Sequence, residues 1–110
     1  MNIYRDFDMA IYSVSQITSY LQEKLNQDLL LSDVWIRGEV SNLTRPGSGH
    51  SYFSLTETSS TLRCAMFRRS TGNHLLSNGV EILAHGRISI YEARGDIQLI
   101  VDLVQPEGIG

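Results

Sequence analysis

Gly38-Glu39-Val40-Ser41-Asn42, resuming as Arg45-Pro46-Gly47-Ser48-Gly49-His50-Ser51-Tyr52-Phe53-Ser54-Leu55, is a strand pattern broken by a basic loop and taken up again. Gly38 and Val40, then Phe53 and Leu55, alternate with polar residues, the period of a strand with one buried face. Pro46, Gly47 and Gly49 supply the turn between them. The returning strand points Tyr52 outward, with Arg45 and His50 in the loop beside it. Arginine meets phosphate as a planar fork, and an exposed ring offers a face on which a base stacks. The stretch therefore implies a sheet surface suited to a single-stranded nucleic acid.

The same alternation extends in both directions. Upstream, Val34 and Ile36 join Gly38 and Val40 on the inner side, while Trp35, Arg37, Glu39 and Ser41 face out. Downstream, Thr58-Ser59-Ser60 reverses the chain into Leu62, Cys64 and Met66 inward, with Arg63, Ala65 and Phe67 outward. The pattern lapses over 68–79, a connector containing Gly72, Asn73, Asn78 and Gly79, with a helical turn expected around 74–77. It resumes with Val80, Ile82, Ala84, Gly86, Ile88 and Ile90 inward and His85, Arg87, Ser89 and Tyr91 among the outward residues. A hairpin at Ala93-Arg94-Gly95 leads to a fifth strand burying Ile97, Leu99, Val101 and Leu103. A long connector after the third of five strands predicts a mainly β fold, the five-stranded Greek-key barrel called the OB-fold. Gly38 and Gly86 stand mid-strand, where a closed barrel turns its corners. An open sheet backed by a helix is the structural alternative.

An N-terminal α-helix precedes the barrel. Ser13 and Gln16 have capping-box spacing, and Tyr12 with Ile17 forms the matching staple. Val14, Ile17, Tyr20, Leu21 and Leu25 share one face opposite Gln22 and Lys24, so the helix is expected over about 13–28, apolar face to the barrel. The chain divides into a flexible arm at 1–12, a domain at 13–105, and the start of a linker at 106–110, where Pro106, Gly108 and Gly110 end the pattern.

Composition narrows the function. At 110 residues, 42% hydrophobic and 19% charged, the chain holds one globular domain. No apolar stretch approaches the roughly 20 residues of a membrane span, and Asp6 and Asp8 do not suit a signal peptide. The single Cys64 cannot form an internal disulfide, which points to the cytoplasm, and its inward phase makes it a core residue. His50, His74 and His85 are scattered without metal-ligand spacing, and the carboxylates do not cluster, so no catalytic residue, metal or cofactor is expected. Arg94-Gly95-Asp96 spells an adhesion tripeptide by chance. Net charge is −3, yet seven arginines and four acids between Val34 and Gly95 give a local excess of +3. Lys24 is the only lysine, and arginine serves phosphate and stacking contacts better.

The expected nucleic-acid surface is the outer face of the first three strands: Tyr52, Arg63 and Phe67, extended by Trp35 and Arg37, with Arg45 and His50 at the loop and Arg68 opening the connector. Trp35 has a second placement, against the N-terminal helix. Tyr91 and Arg87 are assigned to the barrel's far side.

These residues also carry a resemblance. Val14-Ser15-Gln16-Ile17, the run Val34 to Asn42, Ser48 to Leu55, Leu62 to Arg68 and Gly86 to Leu99, taken in this order, resemble the N-terminal domain of the exodeoxyribonuclease VII large subunit family over almost the whole chain. Ala93 replaces a common proline before Arg-Gly, and Ser51 stands where an aromatic is frequent. The resemblance implies a bacterial hydrolase of DNA catabolism that degrades single-stranded DNA from both ends with a small subunit. In that family the OB domain grips the strand and a separate downstream domain cuts it. The chain is then expected to bind and present DNA without hydrolysing it. Two alternatives stay open: an RNA-binding module similar to the anticodon-binding domains of class II tRNA synthetases, and a barrel that docks onto protein.

Overall fold

The capping box forms as its spacing requires. In this computed structural model, which describes residues 9–108, helix α1 (Val14–Gln27) starts at Ser13. Ser13 Oγ accepts from the Gln16 amide at 3.1 Å, and Gln16 Oε1 accepts from the Ser13 amide at 2.8 Å. Asp28 closes the other end, its carboxylate accepting from the amides of Leu30 and Leu31 at 3.0 and 2.9 Å. The arm expected at 1–12 lies mostly outside the described residues; Met9 to Tyr12 are exposed and irregular.

The helix docks by a different face from the one its apolar stripe suggests. Gln22 Oε1 accepts from Ser89 Oγ at 2.9 Å and from the Ile90 amide at 3.0 Å. Thr18, Gln22 and Leu25 are the half-buried positions, and Val14, Ile17, Tyr20 and Leu21 stay exposed. A buried amide must find an acceptor, and the glutamine supplies one that no leucine could. The barrel covers only the flank of the stripe.

The strands are β1 (Val34–Thr44), β2 (Ser51–Glu57), β3 (Ser60–Thr71), β4 (Glu81–Tyr91) and β5 (Asp96–Pro106). They close into a barrel in the order β1-β2-β3-β5-β4, antiparallel except for the β3–β5 pair. This is the predicted OB-fold. β1 serves two neighbours: Val34 to Glu39 pair with β4, and Glu39 to Thr44 pair with β2. A strand shared in this way must bend at the hand-over, and Gly38 sits there with Leu55 packed closely above it. The core is sealed by Val40, Met66, Ile82, Leu99 and Val101, none more than 1% exposed.

Three details depart from the alternation. β3 continues to Thr71, so the connector is shorter than expected, and its helical turn is a 3-10 turn at Asn73–Leu75. Val80 precedes β4 and is exposed. In β5 the inner phase slips by one residue. His85 pairs with Leu103 but Gly86 with Val101, which leaves Asp102 as an extra residue, a β-bulge. Val104 then takes the buried place expected for Leu103, and Ile97 at the strand's start is exposed.

The bulge has a chemical result. Asp102 Oδ1 lies 2.7 Å from His85 Nδ1, and Asp33 Oδ1, from the linker before β1, lies 2.5 Å from Nε2. The Trp35 ring covers this histidine at 5.0 Å between centroids. The hydrogen bond to Asp102, then that to Asp33, raise the imidazole pKa above its ordinary 6.5. The protonated ring donates to both carboxylates and ties the linker to the barrel.

This stabilisation is complete below the ordinary histidine pKa and fades as pH rises through the raised value. Urea midpoints of the wild type and His85→Gln should therefore differ most below the ordinary value of 6.5 and converge as pH rises through the raised one. A gap that widens with pH would refute the imidazolium. A second test concerns Gly86, where a Cβ would overlap the carbonyl of Ile100 on the neighbouring strand. Gly86→Ala should cost on the order of 2–3 kcal/mol, seen as a lower urea midpoint at unchanged slope.

Candidate nucleic-acid interface

The parallel β3–β5 ladder lays out the floor of a groove. Arg63 stands opposite Gln98, and Ala65 opposite Ile100. Across the next ladder Tyr52 of β2 stands opposite Ala65. The small side chain of Ala65 is covered by its neighbours, so the floor dips between Tyr52, Phe67 and Ile100. Phe67 and Tyr91 remain 43% and 49% exposed, large apolar rings left facing water. The β4–β5 hairpin adds Arg94 and Asp96, joined at 3.2 Å. Together these residues enclose an open groove of about 520 Å³.

Tyr52 and Arg63 also line a second hollow of about 210 Å³, whose other walls include Asn42, Thr44 and Ser54. The two side chains are thus a ridge between adjoining concavities. Beside the smaller hollow, β1 carries one extra residue against β2 between Ser41 and Thr44. Asn42 absorbs it in the left-handed region at φ 52°, which asparagine tolerates better than most residues.

The basic loop is fastened rather than free. Arg45 donates through Nε to Ser51 Oγ at 3.3 Å and through its terminal nitrogen to the carbonyls of Asn73 and Leu76 at 2.9 and 3.4 Å. Ser51 Oγ in turn donates to Asn73 Oδ1 at 2.6 Å. Ser51 is fully buried, so its difference from the resembling family falls inside the barrel and not on the outer surface. His50 Nδ1 accepts from the Arg68 amide at 2.9 Å, and its ring meets Phe67 edge-on at 5.3 Å. The Arg68 stem packs against Gly49, which at φ +89° leaves no room for a Cβ.

The eight residues singled out from the sequence therefore separate into groups. Tyr52, Arg63 and Phe67 come together in the groove. His50 buttresses Phe67, and Arg45 and Arg68 hold the loop beside it. Trp35 and Arg37 belong to the half of β1 that pairs with β4 and do not line the groove. Trp35 lies on His85, not on the helix, and Arg37 bonds Glu107 at 3.2 Å.

Five groove residues were not foreseen: Tyr91, Arg94, Asp96, Gln98 and Ile100. Tyr91, assigned to the far side, forms a wall. The outward phase of 96, 98 and 100 is readable in the sequence, but their neighbour is not, because β5 pairs in parallel with a strand far back in the chain. Cys64 is buried beneath this floor, and burial pushes its thiol pKa up to about 12. At that value it is a packing group, not a nucleophile.

Comparison with known proteins agrees with this geometry. Residues 12–105 match the family model described as OB-fold nucleic acid binding domain. The chain is 47% identical over 102 residues to the exodeoxyribonuclease 7 large subunit of Geotalea daltonii, covering 91% of this chain and 22% of that protein. The protein of the same name from Moorella thermoacetica is 45% identical over 105 residues, covering 94% and 26%. The chain thus spans about a quarter of these relatives. Among solved structures, the fold resembles asparaginyl-tRNA synthetase from Pyrococcus horikoshii (TM-score 0.59, 13% identity, 77% of this chain and 22% of that one). It also resembles a chain of a replication protein A heterotrimer bound to ssDNA (TM-score 0.58, 12% identity, 69% and 57%). The chain belongs to the OB-fold nucleic acid binding domain family, as the form of that domain carried by exodeoxyribonuclease 7 large subunits.

Proposed function

We propose that the groove holds single-stranded DNA and that the domain presents the strand to a nuclease domain of a longer polypeptide. The observation that carries this reading is the combination of the exposed rings of Phe67 and Tyr91 and the half-buried ring of Tyr52 with the guanidinium groups of Arg63 and Arg94 along one open groove. Unpaired bases can stack on the rings, while the arginines neutralise the backbone. A duplex, its bases already stacked and paired, gains nothing from such rings. The names of the relatives support a nuclease context, and a small subunit is the further partner we assign to the longer protein. Presentation acts by tethering, which raises the strand's local concentration at the cutting centre without new contacts there. The chemistry of cutting belongs to that centre, and the 110-residue chain itself binds without hydrolysing.

Fluorescence anisotropy with a labelled thymidine oligonucleotide tests the reading. Binding should prefer the single strand to duplex and weaken with salt, with a log–log slope of roughly −0.7 per phosphate contact. Tyr52→Ala or Phe67→Ala should each weaken it about tenfold, the loss of one stacking contact. Arg63→Ala should also flatten the salt slope by about 0.7. Tighter binding of the matching RNA would redirect the assignment to RNA. No binding even at low salt, or affinity indifferent to all three substitutions, would leave a protein-docking barrel.

A further inference from the structure

We propose that the hairpin end of the groove is a guanine subsite, in which the Asp96 carboxylate accepts from guanine N1–H and N2–H while Arg63 donates to O6. The inference rests on the reading of the groove as a single-strand site. Asp96 is the one carboxylate among the groove's described lining residues, and Arg94 pairs with only one of its oxygens, Oδ2, so the carboxylate can still accept from a ligand that donates to it.

The surroundings suit a base edge. Asp96 stands opposite Tyr91 in the β4–β5 ladder, so the carboxylate and the ring line the groove as neighbours. Gln98 follows on the same face of β5, about 7 Å along, and Arg63 is its partner across the β3–β5 ladder. The Nε of Arg94 lies 3.2 Å from one carboxylate oxygen, Oδ2, in a surface ion pair, and the Asp96 side chain remains 46% exposed. A base lying on Tyr91 would thus meet a carboxylate acceptor with an arginine donor close by.

Only guanine fits that order of groups. It presents two adjacent donors, N1–H and N2–H, followed by the O6 acceptor. Thymine has one N–H flanked by carbonyls, and cytosine and adenine each turn a bare ring nitrogen toward the carboxylate beside their amino group. A correctly paired side chain discriminates between bases by roughly tenfold or more.

The test compares the 110-residue chain on a thymidine oligonucleotide, on the same strand with one central guanine, and with inosine there, which lacks the N2 amino group. The wild type should bind the guanine strand about tenfold more tightly than the thymidine strand, with inosine between them. Asp96→Asn should shift the two in opposite directions, binding thymidine more tightly as a negative charge leaves the groove and guanine less tightly. Equal wild-type affinity for all three strands would overturn the subsite while leaving the groove reading intact. Parallel losses on thymidine and guanine in Asp96→Asn would mean that Asp96 merely holds Arg94. Failure to bind any strand would overturn the groove reading and the subsite with it.

Discussion

One strand has to satisfy two neighbours, and much else follows from that. β1 spends its first half hydrogen-bonded to β4 and its second half to β2, with Glu39 paired on both sides. Closing the sheet this way removes the free edges that an open five-stranded sheet would expose. It also divides the outer surface. Side chains on the first half, Trp35 and Arg37, face the region of His85 and Glu107. Those on the second half, Asn42 and Thr44, face the ridge of Tyr52 and Arg63. The change of partner midway along β1 thus decides which exposed residues can meet the same ligand.

The groove joins two hairpins, β2–β3 and β4–β5, that are far apart in sequence, and it is held by a few polar contacts around its rim. Arg45, Ser51 and Asn73 link the first loop to the connector. Such a network is worth having only when its members are all paired, and each of these has a partner. His50 extends the same support to Phe67. A ring already braced on one face loses less freedom on stacking than a free one, so less of the stacking energy is spent on ordering.

The barrel was legible because the alternation of apolar residues in β1, β2, β3 and most of β4 is a local signal. It failed where two choices look alike. Leu103 and Val104 are both apolar, so the slip at Asp102 leaves no trace in the pattern. The helix misled for a related reason: its apolar stripe is real, but an amide of β4 needed an acceptor, and that need is invisible along α1. At the interface, Tyr52, Arg63 and Phe67 could be placed together because β2 and β3 form a hairpin of adjacent segments. The hairpin and β5 side of the groove depends on a pairing between distant segments, which no local pattern encodes.

The position of β5 at the end of the barrel's sequence has a consequence for synthesis. Both β3 and β4 complete their ladders on β5, so each carries a bare edge until residues 96–106 have been made. A chain that emerges from its N-terminus can set the β1–β2–β3 meander early, but the barrel stays open until its last strand arrives. A pause in translation before that point would hold out two unpaired edges and an unsealed core, the surfaces on which nascent chains aggregate. Chaperone demand should therefore end with the emergence of one strand and not decline gradually along the domain.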